Sequence, residues 1–270
     1  MNNDKNEVYA GHWKSNAVAI KRMKYDENSS AKLEFDRTVE VLDHLRSTYF
    51  VTFYGAVITP TKHILVNEWM PHGHLEDITN SFSISPQMKM RIGHDISKAV
   101  GFLHGSGIIF RDVRPTNIYL FDPNVDASVV CKLTNFGLSR NVDKKKNWQI
   151  EEALPPGRYT APEAMTETNS PYGLSADIYS IGMTFYQLWE EKVPFKDHSI
   201  DRDYVNVINS GKRPKITNGQ FPEIEKLIKR CWNTDPAERP DCKEIGDIFF
   251  EEIDKLAKAN GEENKLALYR

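Results

Sequence analysis

Cysteine is scarce in this chain, with three in 270 residues, and Cys131, Cys231 and Cys242 fall into none of the paired spacings that hold a metal ion. They read as reduced thiols, small side chains of a core in a cytoplasmic setting. Also missing is any run of about 18 apolar residues. Positions 1 to 20 lack the basic-then-apolar order of a secretory leader, so the stretch itself is not expected to span or cross a membrane. Basic charge is not in surplus: 35 Lys and Arg against 38 Asp and Glu leave a formal charge of -3. A nucleic-acid partner drawn by overall charge is therefore not expected. Internal repeats and low-complexity tracts are absent as well, which removes solenoids and disordered arrays. What remains is a chain with 40% hydrophobic side chains, long enough to bury a core in one large domain or two lobes.

The apolar periods divide that chain in two. Short alternating runs, Val8-Tyr9-Ala10-Gly11-His12-Trp13 and Ala17-Val18-Ala19-Ile20-Lys21, flank the polar Lys14-Ser15-Asn16 and predict a hairpin. From Ser30 to Leu45, Leu33, Phe35, Val41, Leu42 and Leu45 recur at helical spacing. Strands are expected at Phe50 to Val57 and at His63 to Val66. From Ser85 onward the texture is helical: Pro86 to His104, Ser175 to Glu191, Asp203 to Ser210, Glu223 to Asn233 and Cys242 to Ala259. The expected class is α+β, with a small β-rich lobe carrying one helix over 1–70 and a larger helical lobe over 71–270. A connector near Glu68 to Gly73 joins them.

Between the helix ending near His104 and the next short strand lies Ile109-Phe110-Arg111-Asp112-Val113-Arg114-Pro115-Thr116-Asn117. An acid and an amide five residues apart on such a loop suit phosphoryl transfer: the aspartate can take the proton of an attacking hydroxyl while the amide reaches a magnesium ion. Companion motifs stand in order around it. They are Val18-Ala19-Ile20-Lys21, Leu65-Val66-Asn67-Glu68-Trp69-Met70, Asn135-Phe136-Gly137, Ala161-Pro162-Glu163 and Ser175-Ala176-Asp177-Ile178-Tyr179-Ser180-Ile181-Gly182. Last come Cys231-Trp232 and Asp235-Pro236-Ala237-Glu238-Arg239-Pro240. With these the chain resembles a protein kinase domain of the tyrosine-kinase-like group over nearly its whole length.

That resemblance implies a two-lobed kinase fold with ATP and magnesium as cofactors. It places Asp112 as general base with Arg114 and Asn117 beside it. Lys21, Ala19, Glu68, Met70 and Tyr119 would surround the nucleotide, and Asn117 and Asn135 would face the metal. Against the family pattern, however, the departures cluster on the nucleotide. Met1, Asn3 and Asn6 stand where the phosphate loop has glycines. Thr38 stands where a glutamate would hold Lys21, with Glu34 one turn earlier as the less favoured substitute. Asn135 replaces the metal-binding aspartate, and its expected use is to cross-link the loop backbone. Tyr119 replaces an aliphatic floor and is expected to fill the space of the base. Asn67 adds an amide that needs a partner inside, Arg114 replaces a lysine, and Pro156 replaces a threonine that braces the acceptor side.

The expectation is therefore a pseudokinase with weak or absent Mg-ATP binding, a scaffold or allosteric partner of signalling proteins. The alternative is a weakly active Ser/Thr kinase. The stretch itself should touch neither nucleic acid nor membrane, and the pattern also suits the cytoplasmic part of a larger receptor. Phe110 replaces a family histidine and should complete an apolar stack with Phe53, Leu42 and Phe136. Between Leu138 and Gly157 the only hydroxyl side chain is Ser139, too early for the family's phosphosite. Arg111 should then pair with Glu151 or Glu152, or face solvent. Lys144-Lys145-Lys146 reads as a solvated turn.

Overall fold

The small lobe is built around a hairpin. In the computed structural model, which describes residues 7–23, 30–59, 62–142, 148–165, 171–200 and 202–261, β1 (Glu7–Trp13) and β2 (Asn16–Met23) pair antiparallel. The turn is tighter than expected: Asn16 already pairs with Trp13, and Lys14 takes a left-handed φ of 55°. Met1, Asn3, Asn6 and the run Lys144-Lys145-Lys146 lie outside the described residues.

The helix expected next is α1 (Ser30–His44), which buries Phe35, Thr38, Val41 and Leu42 on one face. β3 (Phe53–Thr59) and β4 (Lys62–Glu68) complete a sheet of order β1-β2-β4-β3. Here one expectation fails, because β3 starts at Phe53 and not at Phe50. Phe50 leaves the sheet to form an isolated bridge with Leu133, and its ring meets Phe136 at 5.0 Å and Phe102 at 5.6 Å. A buried contact with the other lobe outweighs one more rung of an edge strand.

The large lobe opens with α2 (Leu75–Ser81), which the apolar periods did not signal: its sequence LEDITNS is too short and too polar for a helical stripe. His74 caps it, the ring nitrogen accepting from the Asp77 amide. α3 (Pro86–Gly105) starts as expected, with Ser85 accepting from the Met88 amide and proline in the first turn. Short strands follow as β5 (Ile108–Ile109), β6 (Ile118–Leu120), β7 (Cys131–Leu133), β8 (Arg140–Asn141), β9 (Gln149–Ile150) and β10 (Tyr172–Gly173). The remaining helices are α4 (Ser175–Glu190), α5 (Arg202–Asn209), α6 (Pro222–Cys231) and α7 (Cys242–Ala259). Their ends match the expected ones to within the fraying of helix termini.

α4 is buried from Ala176 to Trp189 and forms the axis of the lobe. α3 and α7 press together closely enough that a side chain at Gly93 would collide with the Phe249 ring. Among the described residues, no helix is long and apolar enough to cross a membrane.

Between the lobes, Phe110 and Phe136 are fully buried and meet edge to face at 5.5 Å. Leu42 lies in the same buried cluster, and Phe53, half buried, packs against it. The expected stack is therefore present, extended by Phe50 and Phe102. Phe110→His should lower stability by about 2 kcal/mol, because the imidazole would sit among rings with little to bond to. An unchanged urea midpoint for that variant would remove Phe110 from the load the stack carries.

Candidate functional site

Beneath β1 and β2, the lobes enclose a cleft of about 470 Å³. Ala19, Lys21, Glu68, Met70, Asn117, Tyr119 and Asn135, which the sequence assigned to nucleotide and metal, all line it. Asp112 and Arg114 adjoin it through Asn117. β2 places Ala19 and Lys21 on its cleft face because alternate residues share a side, while Val18 points the other way and is buried.

The loop from Ile109 to Asn117 is positioned from below by Asp177 on α4, which is fully buried. Its carboxylate accepts the backbone N–H groups of Phe110 and Arg111, both at 2.7 Å, and meets His104 Nε2 at 2.9 Å. Arg111 sits at a left-handed φ of 72°, a conformation that costs a non-glycine residue energy and needs such anchoring. Asn117 then closes the loop, donating from Nδ2 to the Asp112 carbonyl at 2.8 Å and to Asp112 Oδ2 at 2.6 Å.

From there the polar groups form one chain. Asn135 Nδ2 donates to Asn117 Oδ1 at 3.3 Å, and Lys21 Nζ donates to Asn135 Oδ1 at 3.3 Å. At the other end, Arg114 Nε lies 3.1 Å from Asp112 Oδ1. Asn135 has a left-handed φ of 66°, which asparagine tolerates better than most side chains. Gly137 follows it where a β-carbon would fall 2.8 Å from that of Glu34, so α1 approaches the turn only over glycine.

Two expectations are corrected by this chain, and a third, on Thr38, is met. Asn135 links two side chains and not the loop backbone. Lys21 is not left without a partner, since the Asn135 amide accepts from it. Thr38 is no substitute for a carboxylate, because its hydroxyl donates to the Glu34 carbonyl of its own helix at 2.7 Å. Burial lowers the Lys21 pKa, and the nearby Glu34 carboxylate opposes that shift. Glu34 thus acts on the lysine through space, and not as the direct partner for which the sequence made it the less favoured substitute.

Tyr119 brings a further correction. Its ring does not fill the cleft; it meets His74 edge to face at 5.8 Å and forms part of the wall. His74 Nε2 is in turn 3.1 Å from Asp77 Oδ2 at the rim. Neither His74 nor Asp77 was singled out in the sequence, since both belong to the unpredicted α2 and its cap.

Glu68 has its carboxylate turned away from any ligand. Oε1 takes the Lys132 ammonium and the Thr52 amide, each at 2.6 Å. Only the backbone of this residue is left to face the cleft. Lys132 is also 3.9 Å from the centre of the Phe121 ring. This half-buried pair joins the end of β4 to β7, and nothing in the local sequence of either strand announces it.

Asp112 is the most perturbed acid of the site. Burial pushes its carboxyl up to about 6, against the opposing pull of Arg114 and the Asn117 hydrogen bond. Further out, Arg111 is held as expected: Nη1 lies 3.3 Å from Glu152 Oε1, Nη2 donates to the Glu152 carbonyl at 2.7 Å, and Nη1 donates to the Leu138 carbonyl at 3.2 Å. Arg140 grips the same carboxylate with Nε and Nη2 at 2.5 and 2.6 Å. These bonds from Arg140, with Arg111 behind them, lower the Glu152 pKa. At the far end, Arg239 meets Glu163 and joins two of the motifs that carry the resemblance.

Comparison with known proteins agrees with this geometry. The family model described as protein tyrosine and serine/threonine kinase matches residues 4–249. The chain is 30% identical to the probable serine/threonine-protein kinase gdt4 of Dictyostelium discoideum over 96% of its own length and 16% of that protein's. Against the Arabidopsis thaliana serine/threonine-protein kinase STY46 it is 30% identical over 96% of the chain and 43% of the relative. Against the serine/threonine/tyrosine-protein kinase HT1 of the same plant it is 30% identical, over 93% of the chain and 64% of the relative. The chain thus spans less than two thirds of these curated relatives. From the ordered motifs, the two-lobed cleft and the match across most of its length, this chain belongs to the protein tyrosine and serine/threonine kinase family.

Proposed function

We propose that this domain is a catalytically impaired member of the tyrosine-kinase-like group that serves signalling proteins as a scaffold or allosteric partner. The observation that carries the reading is the 3.3 Å contact between the Asn135 and Asn117 amides. Family members use ATP with magnesium, a hard cation that takes oxygen ligands and favours carboxylates. Here both positions are neutral, and the Oδ1 of each already accepts a hydrogen bond, Asn117 from Asn135 and Asn135 from Lys21. The residues at these two positions do not fit the metal, because neither brings a carboxylate to it.

Phosphoryl transfer draws on positioning and charge acting together, so one repaired residue does not recover it. Asn135→Asp should leave transfer from radiolabelled ATP to a generic protein substrate at background, and adding Thr38→Glu should not change that. The reading is overturned if the wild-type protein transfers phosphate and Asp112→Asn abolishes the signal. A second reading, a weakly active Ser/Thr kinase, is favoured by the ordered Asp112–Asn117 loop and would then take its place.

A further inference from the structure

Away from the cleft, a cavity of about 540 Å³ opens among the last turns of α3, the first turn of α4 and the start of α7. It shares no lining residue with the cleft. Its volume lies within the roughly 300–1,000 Å³ of small-molecule sites, and Phe102, Leu174, Ile178 and Pro240 give it apolar walls. Cys242 and His104 both line it, with Sγ 3.8 Å from Nδ1. On its other side the imidazole lies 2.9 Å from Asp177 Oδ2 through Nε2. A carboxylate can only accept, so Nε2 holds a proton, and in the neutral ring Nδ1 is the lone pair that takes the thiol hydrogen. A nucleophile, a base and an acid that orients the base thus stand in line, the order that nucleophilic catalysis uses.

Cys242 is also the first residue of α7, where the helix dipole favours a thiolate. Burial and the Asp177 charge act against it and hold the thiol well above its usual range. At rest the sulfur is therefore protonated, and its reaction needs the base in the same step. Soft sulfur and apolar walls set the class of the ligand, a small, uncharged carbon electrophile. We propose that Cys242 is a covalent modification site for α,β-unsaturated carbonyl compounds, with His104 as its general base. Sγ bonds to the β-carbon of the alkene while its proton passes to Nδ1, the electron pair of the double bond moves toward the carbonyl oxygen, and the imidazolium returns the proton to the α-carbon. The product is a thioether; nothing leaves, and no oxidant or second reactant is consumed. Asp177 is a positioning residue that holds the imidazole and balances its charge during the step. Lys98 lines the same cavity and offers a cation to the enolate oxygen. The inference goes beyond the non-catalytic reading of the cleft and does not depend on it.

Timed reaction of the whole chain with cyclohexenone at about pH 7, read by peptide mass spectrometry, tests it. Cys131 and Cys231 are buried as well and serve as internal controls; Cys131 donates to the Ile92 carbonyl at 3.7 Å and has no base to turn to. Cys242 should react about tenfold or more faster than free cysteine under the same conditions, although burial alone would make it slower. His104→Gln keeps a donor for Asp177 and removes the base, so it should slow Cys242 about tenfold or more. Mere loosening of the packing by that variant would instead speed all three thiols. A Cys242 rate at or below that of free cysteine overturns the inference, as does uptake at Cys131 or Cys231 that matches it. An unchanged or faster Cys242 rate in folded His104→Gln overturns it too. Should that variant not fold, the wild-type rate against free cysteine decides alone.

Discussion

Asp112→Asn should stabilise the domain near neutral pH by as much as about 3 kcal/mol, and the gain should vanish in acid. Burial raises this carboxyl from 3.8 to about 6, so between those values the folded chain binds more protons at Asp112 than the unfolded chain does. Stability is then highest below the lower value and falls as pH rises through the upper one. A shift of about 2 units at roughly 1.4 kcal/mol each gives the upper limit. The side chain is only 13% exposed, which keeps solvent from screening most of the cost. Asparagine can still accept from Asn117, and the lost pair with the half-exposed Arg114 is worth less than about 1 kcal/mol. Urea midpoints of both proteins at about pH 7.5 and pH 4 check this. Coinciding midpoints at the higher pH would show that the acid is not under electrostatic strain. A buried acid kept at a cost to the fold is a familiar trade between stability and a site.

Asp177→Ala should have the opposite and larger effect, a loss of about 3–5 kcal/mol. The carboxylate is fully buried and accepts two backbone N–H groups besides meeting His104. Removing it orphans those donors where water cannot reach them. It also frees Arg111 from its left-handed conformation, since the anchored N–H is its own. Beyond a lower urea midpoint, amide exchange at Phe110 and Arg111 should quicken more than exchange in α7. Uniform quickening across the domain would assign Asp177 to general packing and not to the loop.

The parts of this architecture that were legible in the sequence are those written in local patterns. α1, α3 and α7 show their apolar stripes, and Ser85 and Asp241 mark helix starts with side chains that cap them. The pairing of Arg111 was legible only in part: the resemblance pointed to an anion for it, Glu151, Glu152 and solvent stayed open, and the structure gives Glu152. What could not be read depends on partners far apart in the chain. Phe50 belongs to a β-like run by propensity and leaves it for Leu133 and Phe136. Glu68 and Lys132 are 64 residues apart. The bond from Lys21 to Asn135 spans 114 positions, and the rules of neither strand nor turn contain it. Tyr119 was misjudged because side-chain volume was weighed without direction: the ring leans to His74 and lets the cleft stay open.

The carboxylate of Glu152, held between Arg111 and Arg140, is a charge built into the polypeptide and not one that a modification adds and removes. A peptide-borne anion arrives with translation and leaves only with degradation, so this contact carries no record of upstream events. It has no on-time and no off-time.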